Sequence, residues 1–230
     1  MKNLVPIIVL TLAVLGCKMP SIFESANSNS SGVANGSDTS ATENAEAAPT
    51  DDPRADVVRT SKKFLAQSQF SATMDGEGKT PMHIELEYQA PDRFHMISTQ
   101  PSNRGFQMET IIIGRDMYMK QGERWQKLPG ALGKTMPQIR EFFDEKGLQS
   151  LTGVTYVGEE TIDGENTYIY TYRNEAGKEL SPYPFTSRIW VRAADGLPAK
   201  IEVSYEGGEL KTMSVKYDYD KAVTIEPPIK

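Results

Sequence analysis

Few side chains in this 230-residue sequence could carry covalent chemistry, and their spacing argues against it. The only histidines, His83 and His95, each fall on the polar side of an alternating run. The sequence has no Gly-x-Ser-x-Gly elbow, no His-Glu-x-x-His helix and no glycine-rich phosphate cradle, so hydrolytic, zinc-dependent and nucleotide chemistry lack their parts. Carboxylates stand together at Glu159-Glu160 and at Asp218 with Asp220. The second pair shares a strand face, but a hard cation asks for about six oxygens or more. A solvated face is expected there, with no metal and no cofactor. What the residue types do offer is binding chemistry, because methionines, aromatics and aliphatics recur at every second position.

The clearest run is Pro81 to Ile113, where Met82, Ile84, Leu86 and Tyr88 alternate with His83, Glu85, Glu87 and Gln89. A period of two is what a half-buried strand requires. The alternation resumes at Phe94 and Met96 after Ala90-Pro91-Asp92, and again at Phe106, Met108 and Ile112 after Gln100 to Gly105. Strands joined by short turns predict an antiparallel meander. Met117 to Lys120 and Arg124 to Leu128 extend it, with Met117, Met119 and Trp125 as the apolar alternates. The inward-facing set is therefore Met82, Ile84, Leu86, Phe94, Met96, Met108, Met117, Met119 and Trp125. Met136, Ile139 and Phe143 join it from a helical period over Leu132 to Phe143 that Gly147 would cap. By pattern alone these residues could fill a core or line a cavity.

Asp56 to Gln67 reads as a short amphipathic helix with Asp56 as its cap. A strand follows at Gln69 to Met74. Later strands are expected at Val154 to Thr161, Thr167 to Arg173, Arg188 to Arg192, Ala199 to Tyr205 and Leu210 to Tyr219, separated by Asp163-Gly164, Asn174 to Gly177, Asp195-Gly196 and Gly207-Gly208. Tyr168, Tyr170 and Tyr172 share one strand face and could line a mouth, or simply pack. The long connection from Asn174 to Ser187 carries Tyr183 and Phe185, a covering or a contact surface for an envelope protein partner. The sum is mainly β: about ten strands and two short helices. A sheet that wide curls as its strands twist, so an unclosed antiparallel half-barrel is expected, its concave face covered by the two helices.

The chain begins with an export signal. Lys2 supplies a positive n-region and Leu4 to Leu15 a short apolar segment, too short to span a bilayer stably. Val14-Leu15-Gly16-Cys17 resembles the lipobox of bacterial lipoproteins, in which cleavage precedes a cysteine that then carries lipid. Cys17 is the sole cysteine, and acylation would remove the awkward free thiol of an exported chain. This divides the sequence into a signal peptide at 1–17, a tether at 18–54 and a folded domain at 55–230. The tether is rich in Ser, Asn and Ala, a composition that stays disordered, with a reach of roughly 30 to 35 Å. Lys18, where an aspartate would signal inner-membrane retention in Gram-negative lipoproteins, favours the periplasmic side of the outer membrane. In a Gram-positive cell the place would be the extracellular face of the plasma membrane. With 25 Lys and Arg scattered among 31 Asp and Glu and a net charge of −6, there is no cationic stripe for nucleic acid or for a polybasic membrane dock.

Three runs carry a resemblance to a known family: Pro91-Asp92-Arg93-Phe94, then Glu109 to Lys127 with Gly114, Tyr118 and Trp125-Gln126-Lys127, then Asp195-Gly196-Leu197-Pro198-Ala199-Lys200. In order and spacing the sequence resembles the lipoprotein-carrier superfamily that contains LolA, LolB and the mycobacterial LppX and LprG proteins. That resemblance implies an unclosed β-barrel plugged by helices, whose cavity carries acyl chains, lipids or lipoproteins. It turns the inward-facing set into candidates for a ligand cavity. Methionine, flexible and polarizable, suits a lining that must adapt to chains of varied length.

Overall fold

The computed structural model describes residues 47–101, 105–128, 151–174 and 183–229. The signal, Cys17, most of the tether and the helix expected to carry Met136, Ile139 and Phe143 lie outside the described residues.

The helix α1 spans Pro53–Leu65, three residues ahead of its expected start. Asp52, not Asp56, is its N-cap: the Asp52 side chain accepts from the Ala55 amide at 3.0 Å, and Pro53 follows where a missing N–H costs nothing. Asp56 instead turns inward. Its carboxylate accepts from the Thr50 amide at 2.8 Å, the Thr50 hydroxyl at 2.8 Å, the Arg59 guanidinium at 2.9 Å and the Tyr170 hydroxyl at 3.1 Å. A charge out of water must be compensated in this way, and the result anchors the helix to the sheet.

Eleven strands follow among the described residues: β1 Gln69–Gly78, β2 Met82–Gln89, β3 Arg93–Gln100, β4 Phe106–Ile113, β5 Asp116–Gln121, β6 Arg124–Leu128, β7 Leu151–Ile162, β8 Glu165–Asn174, β9 Phe185–Arg192, β10 Pro198–Tyr205 and β11 Leu210–Asp218. They form one antiparallel sheet in the order β6-β5-β4-β3-β2-β1-β11-β10-β9-β8-β7. The fold is thus two meanders, and the first strand of one pairs with the last strand of the other, Ala72 opposite Tyr217 and Met74 opposite Val215. The sheet does not close, and the half-barrel expected from the sequence is what forms.

Register assigns every side chain a face, because a strand alternates strictly. Phe70, Ala72 and Met74 of β1 look the same way as Tyr88, Leu86 and Ile84 of β2. Phe94 and Met96 of β3 continue that face, as do Ile112 of β4 and Met117 of β5. This is the concave face, where α1 packs with Val57 and Phe64 buried. An aromatic row crosses beneath the helix: Phe64 to Phe70 at 5.0 Å, Phe70 to Tyr88 at 5.1 Å, Tyr88 to Phe94 at 5.1 Å, with Tyr217 edge-on to Phe64 at 5.2 Å. Such spacings are those of favourable ring pairs.

The convex face holds a smaller cluster, Ile111, Tyr118, Val223 and Ile225. The C-terminal segment is strapped over it. The Arg93 guanidinium donates to the Ile225 carbonyl at 2.6 Å, and the Ile225 amide donates to Gln89 at 3.0 Å. Among the described residues no helix is long and apolar enough to cross a membrane.

Candidate functional site

Beyond the aromatic row the described residues leave the concave face unfilled. Ala72, at the centre of β1 between Leu86 and Tyr217, is too small to reach its neighbours across the curve. A hollow of about 300 Å³ opens there. Its walls are Met74 with Ala72 on β1, Ile84 and Leu86 on β2, Met213, Val215 and Tyr217 on β11, and Ile201, Val203 and Tyr205 on β10. Phe185 and Ser187 of β9, Tyr172 and Asn174 of β8 and Leu151 of β7 complete it. None of these carries a charge. At the helix end the floor is Phe64, Phe70 and Tyr217. At the other end, next to Tyr205 and Phe185, lies the Gly207-Gly208 turn. There the Tyr183 ring lies on Gly207 and Gly208, so close that a Cβ on Gly207 would stand 2.4 Å from it. Arg173 pairs with Glu206 through both terminal guanidinium nitrogens beside this turn.

The expected cavity residues fare differently. Ile84 and Leu86 line the hollow. Phe94, Met96 and Met117 face the same way but are packed into the core around Tyr88 and Ile112. Met82 ends its row over Gly76, where an added Cβ would meet the Met82 Cγ at 2.8 Å. Met108 and Met119 share the concave face by register, opposite Ser98 and Thr110, away from the hollow's walls. Trp125 is on the wrong face for an inward role. The tight turn at Gly122-Glu123 pairs Gln121 with Arg124 and so Trp125 with Lys120, on the side opposite Met119. The indole packs in the convex cluster, with the Lys120 ammonium 5.7 Å above the ring.

Phe185 also needs correcting. It is buried at the start of β9 against Tyr205, ring centres 5.8 Å apart, and forms cavity wall, not contact surface. Tyr183, two residues earlier, is the exposed one. Of the three tyrosines on β8, Tyr172 lines the hollow, Tyr170 is held by Asp56 under the helix and Tyr168 packs against the core.

Most of the hollow escaped the inward-facing set: of the described lining only Ile84 and Leu86 belong to it, and Val203, Met213, Val215 and Tyr217 with their neighbours do not. Their signal was present as the alternations Ile201, Val203, Tyr205 and Met213, Val215, Tyr217. What hid their role was adjacency, because no local pattern shows that β11 lies beside β1.

The titratable groups divide by face. In the hollow, burial pushes the Tyr172 and Tyr205 phenols up. Tyr217 is raised by burial first and then by the neighbouring Tyr172 hydroxyl. On the convex face a charged row crosses four strands, β2 to β5. His95 stands 3.0 Å from Glu87 and 3.1 Å from Glu109, Lys221 reaches Glu87 at 2.7 Å, and Lys120 reaches Glu109 at 2.6 Å. Partial burial works against both carboxylates, yet hydrogen bonds from Lys221 and His95 hold Glu87 below the usual range, and those from Lys120 and His95 do the same for Glu109. Among the described residues no group of three His, Cys, Asp or Glu is placed to hold a metal ion.

The shape has known counterparts. The lipoprotein LppX of Mycobacterium tuberculosis superposes with a TM-score of 0.59 over 76% of this chain and 98% of LppX, at 14% sequence identity. The fold is LppX-like. LprF of Mycobacterium bovis gives a TM-score of 0.58 at 12% identity, over 79% of this chain and 99% of LprF. No family model matches the sequence, and no curated protein matches it. The expected LppX-like fold is therefore present in an architecture that sequence comparison does not register. In this LppX-like half-barrel the hollow occupies the concave face that the sequence left short of cover.

Proposed function

We propose that this is a cell-envelope protein, lipid-anchored through Cys17, that binds the acyl chains of lipids or lipoproteins in the hollow and carries or sorts them. The observation that carries this reading is the hollow of about 300 Å³, uncharged along its described lining, on the concave face of an LppX-like fold. Its size is at the lower end of ligand sites, roughly 300 to 1,000 Å³. At about 30 Å³ for a water's share of volume, it holds about ten water-sized units. A chain segment of about ten methylenes, groups of similar size, would gain about 8 kcal/mol gross at ~0.8 kcal/mol each. Association costs about 4 kcal/mol or more against that, so a chain whose remainder extends past the rim binds usefully and can still leave. No bond need be made or broken.

The test is lipid analysis of full-length protein purified from its own host in mild detergent, by intact mass spectrometry and extraction. The expected result is an acyl lipid retained in addition to the groups on Cys17. A protein that never carries such a mass, whatever envelope extract it meets, has no carrier role. Cys17→Ser separates anchor from cargo: the variant should leave the membrane fraction yet keep its lipid. Continued membrane fractionation of that variant would sink the anchor.

A further inference from the structure

Seven of the ten methionines lie among the described residues, and register turns all seven to the concave face. The convex face has apolar positions too, but Ile97, Ile111, Tyr118 and Trp190 fill them. Leucine replaces methionine at little cost in most packed sites, so hydrophobicity alone does not account for sulfur on one face. Three of the seven surround a single glycine. Gly76 of β1 stands opposite Met82 of β2 on one side and Met213 of β11 on the other, and Met74 is the next residue of β1 on that face. The bare backbone of Gly76 gives Met82 room to lie across β1: an added Cβ would stand 2.8 Å from the Met82 Cγ and 3.6 Å from its sulfur. The group sits at the Gly207-Gly208 end of the hollow, where Gly78 meets Glu209 and Leu210. Met74 and Met213 belong to the hollow's wall. Met74 is 6% exposed, whereas Met82 and Met213 are half-buried.

A half-buried thioether is within reach of a small oxidant, and its product is a polar group fixed in an apolar wall. The sole cysteine is Cys17, outside the folded domain, so no thiol there competes for the oxidant. We propose that Met82 and Met213 form a site of reversible sulfoxidation and, resting on the carrier reading, that the sulfoxides expel the apolar occupant of the hollow. With hypochlorous acid, the sulfur lone pair takes the chlorine and releases hydroxide. Water then displaces chloride from the chlorosulfonium, and two protons leave as the S=O bond forms. The sulfur loses two electrons and the chlorine gains them. Reduction by a methionine sulfoxide reductase returns two electrons and two protons from a thiol pair, and the oxygen leaves as water. Each sulfoxide needs hydrogen-bond donors that a hydrocarbon chain lacks, so a chain seated against it leaves the group unpaired.

The test treats the full chain in mild detergent with hypochlorous acid, quenches it with free methionine and maps sulfoxides by peptide mass spectrometry. The neutral apolar dye N-phenyl-1-naphthylamine is then titrated against a protein-free detergent blank. Met82 and Met213 should be oxidised before Met74, and dye affinity should fall by about 5- to 150-fold, the effect of one polar group left unpaired against hydrocarbon. The strand signal in circular dichroism should persist, and the two sulfoxide reductases, one for each epimer, should restore binding. Met82→Leu with Met213→Leu, and Met213→Leu alone, remove the target sulfur with little change in volume. Each variant is compared with its own untreated sample and should lose far less affinity on oxidation than wild type does. Sulfoxides at both positions with unchanged dye affinity would overturn the proposal, as would sulfurs that stay reduced there while Met74 oxidises. An equal loss in the leucine variants, or a collapse of the strand signal, would overturn it too. An untreated chain that never binds the dye removes the carrier reading and the expulsion together, whereas binding indifferent to the oxidant removes the expulsion alone.

Discussion

Ala72→Phe tests whether the hollow is a working cavity. Ala72 is 5% exposed, sits midway along β1 and faces the open space between Leu86 and Tyr217. A phenyl ring there takes up about half of the ten or so water-sized units in the hollow. If a bound chain is thereby denied about five methylenes at ~0.8 kcal/mol each, its affinity falls by about 4 kcal/mol, roughly a thousandfold. Protein stability should change little, because the added ring enters space that no described side chain occupies. In a filled core the same substitution would cost about 1 to 3 kcal/mol through overpacking. The assay is a pair of measurements on the purified variant: retained lipid by native mass spectrometry and the thermal midpoint after delipidation. The expected result is loss of lipid with an unchanged or raised midpoint. A midpoint lowered by several degrees together with undiminished lipid would refute the reasoning, since it would mean that the space at Ala72 is packed and the cargo lies elsewhere.

Two further outcomes follow from groups away from the hollow. Asp56→Ala removes the acceptor shared by Thr50, Arg59 and Tyr170; we expect a loss of about 3 kcal/mol in urea unfolding and faster amide exchange in α1 than in the sheet, and uniform exchange would show that the carboxylate does not anchor the helix. Glu87 and Glu109 are held low in the folded state, so their contribution is present above the unfolded value of about 4.5 and is lost as pH falls through the folded values. The deficit of Glu87→Gln against wild type should thus be largest at neutral pH and shrink below about pH 4.5; a deficit that grows on acidification contradicts the sign.

How much of this could be read from residue order depends on the range of the interaction. The alternation from Met82 to Tyr88 placed β2 and its face because strand period is a local property, and the Asp163-Gly164 and Gly207-Gly208 turns appear where the residues indicate. Trp125 was misplaced because its face depends on how many residues the Gly122-Glu123 turn consumes, a parity that hydrophobicity does not report. Asp56 has the residue type of a cap, but Asp52-Pro53 supplied a better one, and only the fold shows that Tyr170, 114 residues away, completes the alternative. Phe185 stands in a stretch that reads as loop, yet the ladder with Asn174 and Tyr205 extends to it. The hollow itself is non-local: Ala72 and Tyr217 border it because strands from opposite ends of the domain are neighbours.

That neighbourhood of β1 and β11 also sets a timetable. Each hairpin can pair as soon as it is made, but the seam joining Ser71 to Asp218 waits until β11 has been made, 147 residues after its partner. Contacts so far apart along the backbone form late, since closing the intervening loop must precede any gain from it. Up to then the two halves are separate ribbons, each with one greasy side uncovered. Such delayed completion makes β11 the strand that turns two ribbons into one sheet, and cutting it away would leave two orphan sheets.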